Sequence, residues 1–175
     1  MGTHRISNTT FFLLPADTHS EHQFFFIFSK FQVVEIIKNI NGVPVPFCPG
    51  FIKGVAPYNQ QLLPIVCLEE MLGLQNSHSG HVYRQFIVVR SSEVNPETGD
   101  NLLVIIAAHS KLQFPKGEAA GGIDTFQQKD VPDHLDNTDF IKGFFMNTKE
   151  AAVVVDFNQL LLSGLLPSAY SIPSC

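Results

Sequence analysis

The residues best suited to chemistry are two histidine pairs, His19-Ser20-Glu21-His22 and His78-Ser79-Gly80-His81, which share the pattern His-Ser-x-His. On a helix, an i, i+3 spacing sets two imidazoles on one face, the beginning of a zinc site. Both pairs fall in stretches that read as loops, and neither has a cysteine or a Glu-x-x-His segment beside it, so the sequence predicts no metal. Nucleophilic catalysis needs a Ser or Cys on a strained turn, a His and an orienting acid. No Gly-x-Ser-x-Gly elbow occurs, and Ser79-Gly80-His81 sits in a polar joint. Gly121-Gly122 is followed by no Lys-Ser or Lys-Thr, so it makes no phosphate cradle. Glu69 and Glu70 are adjacent, fall on different faces of a helical turn and read as solvated surface. Cys48, Cys67 and Cys175 are odd in number and unevenly spaced, which reads as reduced thiols rather than a disulfide framework. The expectation is a protein that is not an enzyme, with no catalytic residue, metal or cofactor. A metal- or thiol-dependent enzyme built on the His pairs or Cys67 is the least favoured reading.

Composition agrees with a binding role. Of 175 residues, 45% are apolar and only 15% charged, which gives a globular chain with a lean polar surface. Part of that apolar surface is available for a partner. A net charge of −5 and no basic stripe exclude non-specific nucleic-acid binding and attachment to anionic membranes. The longest apolar runs, Gln23 to Phe28 and Leu102 to Ala108, fall far short of the roughly 20 residues of a membrane span, so no membrane insertion is expected. Met1 to Asn8 is polar and does not read as a signal peptide. These features predict a cytoplasmic protein.

The elements that must carry any site are short strands. Thr9 to Leu14 and Gln23 to Phe28 read as a hairpin, with Phe25, Ile27, Phe11 and Leu13 facing a core. Ser29 to Ile37 reads as a turn followed by a β-branched strand, and Pro44, Pro46 and Pro49 make residues 43–50 an extended surface loop. Phe51 to Val55 re-enters the core, Gly54 marking a backbone conformation or close approach that a side chain would block. Leu62 to Cys67 is a strand, and Leu68 to Leu72 a short helix ended by Gly73. Asn76 to Gly80 is a polar joint. Tyr83 to Arg90 and Leu102 to Ala107 form a second hairpin about the turn Asn95 to Asp100. A glycine-containing loop (Lys116 to Thr125) and a polar stretch (Lys129 to Thr138) lead to strands at Phe140 to Met146 and Ala151 to Val155, then a helix from Asp156 to Leu162 with Gly164 as its stop.

A repeat organises these pieces. Phe51-Ile52-Lys53-Gly54 returns as Phe140-Ile141-Lys142-Gly143 at an offset of 89 residues, and Leu62 to Leu72 lies over Ala151 to Leu161 without a gap. Pro64 over Val153 and Cys67 over Asp156 are the mismatches. The Phe and Ile of both copies read as core. The whole reads as one domain over about 9–162, made of halves at about 9–75 and 82–162, with tails at 1–8 and 165–175.

The order Val34-Glu35-Ile36-Ile37, Val45-Pro46, Phe51-Ile52-Lys53-Gly54-Val55 and Leu63-Pro64-Ile65-Val66-Cys67-Leu68 resembles the CheW-like family of chemotaxis coupling proteins. The resemblance runs from about Thr9 to Leu162. It implies a mostly β fold of two SH3-like five-stranded β-barrels about a pseudo-twofold, with short helices and a shared interior. It also implies a non-catalytic adaptor of signal transduction that joins the regulatory domain of a CheA-type histidine kinase to the cytoplasmic tip of a chemoreceptor. Candidate partner-binding residues under this resemblance are Val34, Glu35, Ile36, Lys53, Tyr58, Asn59 and Gln60. Where the family carries an Asn-Leu-Arg-Gly turn, this chain has Pro57-Tyr58-Asn59-Gln60. Asn59 gives two neutral donors in place of a guanidinium's five and its charge. Gln60 in place of Gly predicts a different turn. The alternative under the same resemblance is a divergent module that has lost kinase and receptor coupling and scaffolds another pathway or self-associates.

Overall fold

β1 (Phe11–Pro15) and β2 (Gln23–Ser29) make the first expected hairpin, Phe11 opposite Ser29 and Pro15 opposite Phe25. The computed structural model describes residues 11–18, 21–74, 82–114 and 126–165. His19, His78, His81, Cys175, the 76–80 joint, the whole of the Lys116 to Thr125 loop, the N-terminal tail and residues 166–175 lie outside them. After β3 (Val33–Ile37) come β4 (Ile52–Tyr58), β5 (Gln61–Val66) and α1 (Leu68–Met71). The second copy follows the same grammar with β6 (Gln85–Val94), β7 (Asn101–Ala108), β8 (Gln127–Lys129), β9 (Ile141–Met146), β10 (Glu150–Val155) and α2 (Phe157–Leu162).

The strands form two five-stranded sheets, and each copy has exchanged its hairpin with the other. One sheet runs β1-β2-β10-β9-β8 and the other β3-β6-β7-β5-β4. β2 joins β10 in parallel, Gln23 opposite Glu150 through Ile27 opposite Val154, and β7 joins β5 in parallel at Ile105 and Ile106. The boundary between sheets therefore does not follow the boundary between the sequence halves. Antiparallel neighbours need only a tight turn, but the parallel joins require the long crossovers that the rest of each copy supplies.

The 89-residue offset holds to the residue in three dimensions. β4 and β9 begin at Ile52 and Ile141, β5 and β10 at Gln61 and Glu150, α1 and α2 at Leu68 and Phe157. In β4 the pairing passes from Ile52 to Gly54, and in β9 from Ile141 to Gly143, so Lys53 and Lys142 are both the extra residue of a β-bulge. The N–H of Cys67 donates to the Phe51 carbonyl and that of Asp156 to the Phe140 carbonyl, each at 2.8 Å. Gly54, which follows the bulged Lys53 and has φ 134°, is the close approach foreseen: a β-carbon there would stand 2.3 Å from the Val43 carbonyl oxygen.

The main core lies between the sheets. It takes Phe24, Phe26 and Phe28 from β2 and Ala151, Val153 and Val155 from β10, together with Ile87, Val89, Val104, Ile106 and Ala108 from β6 and β7. Alternate residues of the second sheet, Leu63, Ile65, Val88, Ile105 and Ala107, point the other way into a smaller cluster that includes Ile37, Tyr58 and Tyr83 at its rim. Central strands buried on both faces read as continuous apolar runs. The same continuity corrects the expectation for the first hairpin. Phe24, Phe26 and Phe28, not Phe25 and Ile27, are the buried set of β2, and Leu14 rather than Phe11 or Leu13 is buried in β1. With apolar residues at every position from 24 to 28, alternation cannot choose the inward face. The repeat is also unequal in its core: Phe51, Ile52 and Phe140 are buried, whereas Ile141 is half-buried.

Candidate partner-binding surface

β3 is the edge strand of its sheet, paired with β6, and its register shifts between Val33 and Glu35 so that Val34 is looped out. A bulge on an edge strand re-aims side chains and breaks the flat template on which strands aggregate. Here it presents Val34 and Ile36, 40% and 48% exposed, beside an exposed Glu35. β-Branched residues favoured β3 as a strand, but only the bulge decides that two of them face solvent.

The β4–β5 turn lies against this strand. β4 and β5 are antiparallel with Tyr58 opposite Gln61, leaving Asn59 and Gln60 as a two-residue loop. Both have positive φ, 45° and 64°. A loop with two left-handed residues matches the twist of a hairpin and normally selects Asn-Gly. The expectation of a different turn is therefore corrected. The left-handed turn is kept with Gln60 at its second position, at a cost of about 1 kcal/mol for a residue bearing a β-carbon. Gln60→Gly is expected to raise stability by about 0.5–1 kcal/mol, read as a higher urea midpoint at unchanged slope. A fall in midpoint would show that the Gln60 side chain holds the turn.

Tyr58 connects the two elements. Its hydroxyl donates to Glu35 Oε2 at 2.8 Å, joining the two edge strands of one sheet. Val43, bridged to Val55 through reciprocal backbone bonds of 2.8 and 2.9 Å, joins the segment after β3 to β4 as well. Desolvation, then the hydrogen bond to Glu35 and its charge, raise the Tyr58 phenol above its ordinary value, so it stays protonated and a donor at neutral pH. The surface offers two aliphatic side chains, one carboxylate and the neutral amides of Asn59 and Gln60.

Six of the seven candidates, Val34, Glu35, Ile36, Tyr58, Asn59 and Gln60, thus fall on β3 and the hairpin tied to it. Lys53 does not. It stands five residues back along β4, roughly 16 Å at strand rise, and forms an ion pair with Glu70 of α1. Its charge is engaged with the helix rather than with the β3 surface. The adjacent Glu69 corrects the solvated-surface expectation: only Glu70 is at the surface, while Glu69 is 5% exposed and accepts from the Asp17 backbone N–H and the Cys67 thiol, each at 3.3 Å. A one-turn helix leaving a strand has only one free face, and its neighbours capture the other carboxylate.

Sequence reasoning missed three exposed apolar residues in the same part of the chain: Phe31 at 78%, Val43 at 61% and Phe47 fully exposed. Phe31 lies in the turn entering β3, where Ser29 N–H donates to Gln32 Oε1, and Val43 and Phe47 flank the Pro44 to Pro46 stretch. Large apolar residues in a turn and a proline loop were the available signal, because neither place can bury them.

The fold and this geometry can be set beside known proteins. The family model of the CheW-like domain matches residues 18–164. Among solved structures, the crystal structure of the scaffolding protein TtCheW from Thermoanaerobacter tengcongensis aligns with 95% of this chain and 100% of its own, at 16% identity and a TM-score of 0.56. No curated protein matches the sequence significantly.

Proposed function

Because the chain belongs to the CheW-like family, whose members are non-catalytic scaffolds, we propose that it is a cytoplasmic adaptor that couples the regulatory domain of a CheA-type histidine kinase to the cytoplasmic tip of a chemoreceptor. The observation that carries this reading is the exposed, bulged edge of β3 held against the β4–β5 turn by the Tyr58–Glu35 hydrogen bond. Aliphatic anchors ringed by polar groups suit a protein interface of modest area. No helix among the described residues is long and apolar enough to cross a membrane.

The test is binding of the purified chain to the kinase regulatory domain and to a receptor-tip fragment by calorimetry. Val34→Asp with Ile36→Asp, both at exposed positions, is expected to weaken kinase binding at least tenfold with the melting temperature nearly unchanged. A wild-type chain that binds neither partner overturns the coupling reading.

Asn59 and Gln60 favour a second reading, a divergent module that scaffolds another pathway or self-associates, because this turn offers no cation to a partner carboxylate. Under it, the wild type binds no such kinase, and it sediments as an oligomer where self-association is its role. If only that contact has been lost, Asn59→Arg with Gln60→Gly creates kinase binding.

A further inference from the structure

Away from β3, where β5 runs into α1, three donors of different chemistry converge. The Cys67 sulfur, a Glu69 carboxylate oxygen and an imidazole nitrogen of His109 all lie within 4.8 Å of one another. Cys67 is fully buried and Glu69 nearly so, whereas His109, directly after β7, is half-buried and gives solvent its approach. The Tyr83 ring packs on the imidazole at 4.6 Å and forms the wall of the site.

The repeat shows that this chemistry is particular to one copy. In the second copy the equivalent residue is Asp156, whose Oδ1 accepts from the Gln159 N–H at 3.0 Å and caps α2. In the first copy Cys67 makes no side-chain cap for α1. Its sulfur lies 3.3 Å from Glu69 Oε2. Two donors on one tetrahedral ion with bonds of about 2.0–2.3 Å stand about 3.5 Å apart, so the existing separation needs little change. The other Glu69 oxygen is already oriented by the Asp17 N–H, the outer contact that a ligating carboxylate requires.

We propose that Cys67, Glu69 and His109 form a site for a thiophilic divalent cation of the zinc class, with water completing the fourth position from the His109 side. Thiolate, carboxylate and imidazole are the donor types that zinc takes. On binding, the sulfur–metal bond forms as the Cys67 S–H proton leaves to solvent, with no change of oxidation state. Burial, and then the charge of Glu69, push the Cys67 thiol well above its ordinary value. Without an ion it is an inert thiol rather than a nucleophile. A bound cation compensates the buried carboxylate and the thiolate together and pins the β5–α1 junction to the end of β7. The site is structural, and it stands whether or not the adaptor reading does.

The experiment uses the full-length chain with Cys48→Ser and Cys175→Ser, stripped with chelator under reducing conditions, and cobalt(II) as the probe. One equivalent of cobalt is expected to give a thiolate-to-cobalt charge-transfer band that zinc(II) abolishes stoichiometrically. Zinc at 100 times its dissociation constant is expected to raise the melting temperature by roughly 5–10 °C. Cys67→Ser removes the band. His109→Gln, at a half-buried position that keeps the fold, weakens zinc binding at least tenfold, and Glu69→Gln does the same should the Cys67 variant fail to fold. Absence of the band in the double-serine protein overturns the proposal, as does zinc affinity unaltered by His109→Gln, which would place any ion on histidines elsewhere.

Discussion

Gly54→Ala is expected to destabilise the fold by more than about 3 kcal/mol, a large fraction of the net stability of a domain. Two costs add. At φ 134° the backbone occupies a region that residues with a β-carbon rarely enter. The new methyl would also stand 2.3 Å from the Val43 carbonyl oxygen and 2.8 Å from its carbon, both backbone atoms. Val43 cannot retreat without breaking its two hydrogen bonds to Val55. The equivalent position in the second copy provides the control. A β-carbon at Gly143 would meet the Phe145 ring at 2.9 Å, a side chain that can rotate, and that glycine is not in the left-handed region. Gly143→Ala should therefore cost roughly 1–2 kcal/mol. Urea unfolding followed by circular dichroism separates the two, and an equal effect at both sites would refute the close approach as the cause.

Phe28→Ala is expected to cost about 3–5 kcal/mol, the loss of a fully buried ring plus the cavity left behind. Phe28 is 0% exposed and stacks on Phe157 at 5.8 Å with the planes 18° apart. It is therefore the contact through which the first hairpin grips α2, 129 residues further along the chain. A calorimetric melt should show one transition moved down in temperature. Splitting into two transitions would mean that the sheets unfold independently, contrary to a core made from both. Phe25→Ala, on the half-buried face of the same strand, should cost less than half as much.

These two positions mark what the sequence discloses and what it withholds. Gly54 was legible because a glycine inside an apolar strand that re-enters the core marks a conformation or close approach that a side chain would block. Gly73 and Gly164 were legible as helix stops, and both have left-handed φ, 68° and 74°. The inward face of β2 was not legible, since five consecutive apolar residues satisfy either register. β8, Gln127–Lys129, is exposed and polar and exists only through its pairing with β9, so no local pattern announces it. On the candidate surface, the sequence proposed β3 and the Tyr58 turn separately, as parts of a resemblance. Their proximity comes from the curl of a sheet in which β3 and β4 are opposite ends. Lys53 was drawn into the same group by position in a motif, and Glu70 claims it. The meeting of Cys67 and Glu69 with His109 lay furthest from view, because about forty residues and a change of strand separate them. Nothing periodic links them.

The parallel join of β2 to β10 sets a timetable for the chain as it is made. Gln23 finds its partner only at Glu150, 127 residues later. At about 5–20 residues per second, translation leaves the open side of β2 waiting on the order of 6–25 s. During that interval the strand has a free hydrogen-bonding edge, and Phe24, Phe26 and Phe28 lack the core neighbours that Ala151, Val153 and Val155 of β10 supply. Synthesis rate and chaperone supply, rather than the stability of the finished fold, should therefore govern how much of this protein a cell recovers in soluble form.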